Sequence, residues 1–170
     1  MKSVVEKIGM HGHLLMFGIV SLYLFYMKSA LWGYWIGSAI NEIVVLVLKR
    51  VLKEPRPKLI TMDVNAPEYY GMPSGHTQHT VFSVVYLGLM NANPIWLMSL
   101  SLLSGAAIYE RIINEKHSVR QVFVGGILGI MMAAIVYKST KMYYTSDQNK
   151  LVLSGEDTHT MVEMPESLVL

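Results

Sequence analysis

Two histidines and three cations recur at the ends of apolar segments in this 170-residue chain. His76 closes Pro73-Ser74-Gly75-His76, Lys49 stands seven residues before Arg56-Pro57, and Arg111 stands six residues before His117. Arg56 and Arg111 can each present a planar fork to two oxygens, while Lys49 supplies a compact point charge, a set suited to a multiply charged phosphate. A neutral imidazole can attack phosphorus and a protonated one can deliver a proton to the leaving oxygen. His76 and His117 can thus divide a phosphoryl transfer between them, a scheme that needs no metal. A helix starting at Ser74-Gly75-His76 adds first-turn amides and the positive end of the helix dipole, and Ser74 adds a hydroxyl donor. Each piece alone has a plainer reading. Ser74 can be an ordinary N-cap, Lys53 and Lys58 read as interfacial anchors, and His11, His13 and His159 read as structural or solvated. His79 either lines the same site or only packs. The co-location of Lys49, Arg56 and Arg111 with two histidines favours a shared anion site.

The elements that must position these residues are apolar. Hydrophobic residues make up 52% of the chain and mean hydropathy is +0.38, more than a soluble domain of this size normally carries. A hydrocarbon core of about 30 Å needs roughly 20 apolar helical residues, so charge-free intervals count as spans. Residues 8–27 form the first and 29–48 the second, interrupted only by Glu42. No small-residue cleavage pattern follows the first, which is therefore retained as an uncleaved span. Tyr69 to Tyr109 contains no Asp, Glu, Lys or Arg over 41 residues and breaks at Asn91-Ala92-Asn93-Pro94, giving spans near 75–90 and 94–109. The fifth covers 118–137, with Gly125, Gly126 and Gly129 as small residues for close helix approach. The expected fold is an all-α integral membrane bundle of about five helices, with residues 1–137 as the membrane domain and 138–170 as a polar flexible tail. The competing reading is a soluble helical bundle with an unusually apolar core.

Alternate crossings bring connectors 49–76 and 110–117 to one membrane face, so the separated motifs converge by topology. The chain has no cysteine, so neither disulfides nor thiolate metal ligands are available. Net charge is only +2, yet Lys49, Arg50, Lys53, Arg56 and Lys58 crowd one connector. Between two apolar segments, a membrane-surface phosphate is a better partner for them than nucleic acid. Gln121, one turn after His117, can orient that ring by hydrogen bond. Glu42 is costly at its depth unless paired, and either helps hold Lys49 or makes a polar contact between helices.

Together, K-x6-R-P from Lys49 to Pro57, P-S-G-H from Pro73 to His76 and R-x5-H from Arg111 to His117 resemble the three-part signature of the type 2 phosphatidic acid phosphatase superfamily. Within it, Glu54-Pro55-Arg56-Pro57, Tyr70-Gly71-Met72-Pro73-Ser74, Gln78, Gln121-Val122 and Asn41-Glu42 are similar to the dolichyldiphosphatase branch. The resemblance covers roughly residues 40–130. It implies His117 as the nucleophile forming a phosphohistidine, His76 as the acid, and Lys49, Arg56, Ser74, Gly75 and Arg111 as the phosphate-holding set. Gln121 and Glu42 would orient them. The implied reaction cleaves a polyprenyl diphosphate to the monophosphate with no metal or other cofactor.

Two positions depart from the wider superfamily. Glu110 stands where a serine usually precedes the arginine, and Gln121 replaces an aspartate, removing a charge that would stabilise an imidazolium. The positive-inside rule puts the cation-rich face in the cytoplasm. The resemblance implies a lumenal or external site, as in the endoplasmic reticulum, and is followed because several of those cations are committed to substrate. The alternatives are a phosphatidate or prenyl monophosphate phosphatase with the same chemistry, and a non-catalytic membrane protein that binds lipid phosphate. A transporter is disfavoured because no broken-helix repeat pair is visible.

Overall fold

A computed structural model describes residues 2–58 and 69–154, with side chains for 11–58 and 69–146. Five helices follow one another: α1 (Lys2–Tyr23), α2 (Lys28–Leu52), α3 (Gly75–Leu89), α4 (Pro94–Ile113) and α5 (Val119–Ser154). The all-α membrane bundle expected from the sequence is the observed architecture. Among the described residues the only sheet-like pairing is an isolated bridge between Pro55 and Tyr70.

The bundle packs an apolar core and carries an apolar outer surface. Its core joins Met16 and Val20 of α1 and Leu24 of the turn after it to Leu31 and Tyr34 of α2, Phe82 and Tyr86 of α3, Leu100 of α4, and Ala133 and Val136 of α5. Tyr34 stacks on Phe82 with ring centroids 5.6 Å apart, and its hydroxyl pairs with Ser83 Oγ at 2.8 Å, so the polar end of this aromatic is satisfied. On the outside, Trp32, Ile43, Leu102 and Phe123 are 59–70% exposed. An apolar belt of this kind would cost free energy in water and matches hydrocarbon. Two helices, α2 and the Val119–Ser146 part of α5, are by themselves long and apolar enough to cross a bilayer.

The two ends of the bundle are built differently. At one end Asn93 caps α4 by accepting from the Ile95 amide at 2.9 Å, ahead of Pro94 at the first helical position, as the turn signals require. At the other end the connectors interleave. Gly71 N–H donates to Glu54 O at 2.7 Å, Lys58 N–H to Glu115 O at 3.1 Å, and Ser74 N–H to Gln121 O at 3.1 Å. Spans counted from charge-free intervals thus place both connectors on one face, as expected.

α3 and α5 form the most extensive helix pair, and glycines allow it. A Cβ at Gly125 would lie 2.6 Å from Ser74 O, and one at Gly129 would lie 2.6 Å from Gln78 O, whereas Gly126 faces open space. This close approach holds the start of α3 against α5. Several boundaries differ from the charge-based reading: α1 spans Lys2–Tyr23 rather than 8–27, and α2 runs through Lys49 and Arg50 to Leu52 rather than ending at 48. α4 continues past Tyr109 to Ile113 because Glu110 and Arg111 are buried together, so their charges do not end the helix. α5 runs past residue 137 to Ser154, with Thr140 buried, so the expected domain limit at 137 falls inside a helix. Residues 155–170 of the expected tail lie outside the described residues.

Candidate active site

The start of α5 is a reciprocal cap that fixes one histidine. Gln121 N–H donates to Ser118 Oγ at 3.2 Å, and Gln121 Oε1 accepts from Ser118 N–H at 3.2 Å, a capping box. Gln121 Nε2 donates to Glu54 Oε1 at 3.0 Å and to Pro55 O at 2.9 Å. A donor on one side and two acceptors on the other set the amide's orientation by hydrogen-bond chemistry alone. The Gln121 oxygen therefore faces His117 Nδ1 at 3.2 Å, so Nδ1 carries the proton and Nε2 keeps its lone pair. Gly71 makes room for this arrangement, since a Cβ there would overlap the Gln121 amide.

His117 is 2% exposed. Burial, then the charge of Arg56 and more weakly those of Lys49 and Arg111, lower its pKa to about 3 against the opposing bond from Gln121. The ring is neutral at physiological pH, the form a nucleophile needs.

A cavity of about 150 Å³ brings His117 together with Lys49, Arg56, Gly75 and His76, and with His13, Glu42, Val45 and His79. The three motif segments meet here, joined by His13 of α1. Ser74 and Arg111 are not on this wall: Ser74 is fully buried at the N-cap of α3, its Oγ paired with Thr77 Oγ1 at 3.0 Å. Arg111 is buried in the last turn of α4 and accepts the His117 amide on its backbone carbonyl at 3.1 Å.

Glu110, the departure next to Arg111, points elsewhere. Its carboxylate accepts from Lys116 Nζ at 2.6 Å and Asn114 Nδ2 at 2.8 Å and lies 3.5 Å from Arg111 Nε. Two cations thus offset its charge, and it does not line the cavity.

Glu42 lines the cavity directly, its Oε2 2.7 Å from His79 Nε2. His79 Nδ1 lies 3.3 Å from Asn41 Nδ2, and Asn41 Oδ1 accepts from Gln78 Nε2 at 2.7 Å. The glutamate at membrane depth is therefore paired, as its cost requires. His13, read from sequence as structural or solvated, stands in the cavity wall with its ring 4.0 Å from that of His76. Nothing in its spacing along α1 signals this, because only packing of α1 on α3 brings the two rings together. Glu54 enters the sequence reading only as part of the Glu54–Pro57 run, with no role of its own, although Ser118-x-x-Gln121 is a readable capping box that places the Gln121 oxygen.

A family model described as the PAP2 superfamily matches residues 30–144. Dolichyldiphosphatase 1 of Homo sapiens is 34% identical over 137 residues, 68% of this chain and 55% of the relative. Dolichyldiphosphatase 1 of Mus musculus is 31% identical over 149 residues, covering 75% of this chain and 60% of the relative. Lipid phosphate phosphatase gamma of Arabidopsis thaliana is 30% identical over 128 residues, covering 69% and 56%. The chain spans 55–60% of the length of these relatives. No solved structure matches.

Proposed function

The chain belongs to the PAP2 superfamily, and we propose that it is a membrane lipid phosphatase that hydrolyses a polyprenyl diphosphate to the monophosphate. The observation that carries this reading is the meeting of His117, His76, Lys49 and Arg56 around one small cavity. His117 Nε2 attacks the terminal phosphorus, forming an N–P bond as the P–O bond to the leaving group breaks. The electron pair goes to that oxygen, and His76 supplies the proton. Water then attacks the phosphohistidine, His76 takes its proton, and the N–P electron pair returns to Nε2.

Lys49 and Arg56 offset the charge on the phosphoryl oxygens, with the Gly75 backbone beside them at the start of α3. Arg111 and Ser74 act from behind the wall, Arg111 through its charge and Ser74 by setting the start of α3. Gln121 orients His117, and Glu42 holds His79. No step calls on a metal or other cofactor. The head group sits at the interface and the prenyl tail lies in the bilayer. We place the active site on the lumenal side of the endoplasmic reticulum or an equivalent external face, on the strength of the family resemblance. The similarity to a lipid phosphate phosphatase supports a second substrate reading, in which the same residues cleave phosphatidate or a prenyl monophosphate.

The test is phosphate release by detergent-purified protein, in EDTA, from a panel of polyprenyl diphosphate, prenyl monophosphate and phosphatidate. The expected result is release that survives EDTA and is fastest from the diphosphate. A faster phosphatidate rate would establish the second reading, and binding without turnover of any member would leave only a lipid-phosphate-binding protein. Glycosylation mapping of the connectors checks the lumenal placement.

A further inference from the structure

The nucleophilic histidine reaches no carboxylate directly, because Gln121 occupies the place four residues on. Yet the amide of Gln121 is bonded on its far side to a carboxylate, and its near side faces the ring. We propose that Glu54, acting through Gln121, is the positioning residue that supplies the negative charge for His117, in a relay Glu54–Gln121–His117.

Three observations support the relay. The Gln121 amide is locked in one orientation by Ser118, Pro55 and Glu54, so its dipole points its negative end at Nδ1–H and its positive end at the carboxylate. Glu54 divides its two oxygens, with Oε1 on Gln121 and Oε2 on Arg120, so one carboxylate both anchors and polarises. Gly71 is pinned to Glu54 O at 2.7 Å and leaves the space through which the Gln121 side chain passes. Burial raises the Glu54 pKa, but the bonds from Arg120 and Gln121 and the charge of Arg120 outweigh it and hold the carboxyl below its ordinary value. The group is ionised at neutral pH.

The chemistry gives this charge a use. When His117 Nε2 bonds to phosphorus the ring becomes cationic while Nδ1 keeps its proton. A carboxylate polarising the intervening amide strengthens the Nδ1–H bond in that state more than in the neutral one. Because Gln121 alone fixes the tautomer, losing the charge should weaken catalysis without misplacing the ring.

The inference rests on the phosphatase reading, and the experiment separates the two. Wild type, E54Q, E54D and R120M are compared in detergent for kcat, KM, pH profile and thermal stability on the best substrate of the panel. E54Q keeps an acceptor for Gln121 but removes the charge, and should lower kcat about tenfold with KM unchanged. E54D, which keeps the charge, should stay within about threefold of wild type. R120M removes only the exposed partner of Glu54 and should leave kcat within twofold at roughly the wild-type KM. A role confined to anchoring the connector would make R120M and E54Q fall together, or make E54Q lose stability with kcat per folded molecule intact; either result overturns the relay. Should E54Q not fold, an E54D kcat lowered as far as tenfold or an R120M loss of that size would do the same. Wild-type protein that releases no phosphate sinks the functional reading instead.

Discussion

The two walls of the cavity are made in different ways. On the His117 side, the connectors after α2 and before α5 interlock through backbone and side-chain bonds that hold the Gln121 amide on both sides. On the opposite side, His13, His76 and His79 come from α1 and α3 and are held by helix packing, ring contact and the Glu42 pair. The first wall fixes one imidazole in one tautomer. The second gathers the imidazoles of His13, His76 and His79 on the cavity lining. On the proposed mechanism, hydrogen bonds set the geometry of the nucleophile, whereas proton delivery depends on how closely α1 approaches α3.

Substitutions on either wall separate these roles. The largest expected effect after loss of the nucleophile is on the His117 side: Arg56→Lys keeps a charge but loses the planar fork, and should lower kcat/KM about 10²-fold in the phosphate-release assay. An unchanged rate would mean that Arg56 acts only as a diffuse charge. On the α1 side, His13→Ala removes the ring packed on His76 and should cost about tenfold in kcat/KM. Activity equal to wild type would reduce that wall to packing.

The smallest effect concerns stability. The His117 pKa in the fold, about 3, lies below its ordinary 6.5. Between those values the unfolded chain binds a proton that the folded one does not. Its contribution to stability is therefore complete above pH 6.5 and is lost as pH falls toward 3. The melting temperature in detergent should drop from pH 7 to pH 5, and His117→Gln should flatten part of that slope. Parallel slopes in the two proteins would contradict the burial-driven shift.

Much of the fold was legible because charges mark where hydrocarbon ends. Asn93-Pro94 gave the α3–α4 turn, and Gly125 and Gly129 gave the close helix pair. The rule failed where charges are neutralised inside or lie on an outer face. Glu110 and Arg111 bury each other within α4, and Lys138 and Lys141 sit on a helix that simply continues. In the candidate site, motif spacing picked out Lys49, Arg56, Gly75, His76 and His117, which line one cavity, and Gln121, which bonds His117. It could not find His13, which is joined to His76 only through tertiary contact. Nor could it foresee that Ser74 and Arg111 stand behind the cavity wall rather than on it, since type and spacing do not encode the direction of a side chain.

The proposed mechanism makes His117 Nε2 the atom that receives the phosphoryl group. Protein incubated in EDTA with polyprenyl diphosphate labelled in its terminal phosphate, then quenched in alkali and digested, should carry the label on the peptide containing His117. The linkage should be alkali-stable and acid-labile, and absent from His117→Ala, whose turnover should fall at least ~10³-fold. Steady turnover with no labelled intermediate, or label on any other residue, would contradict it.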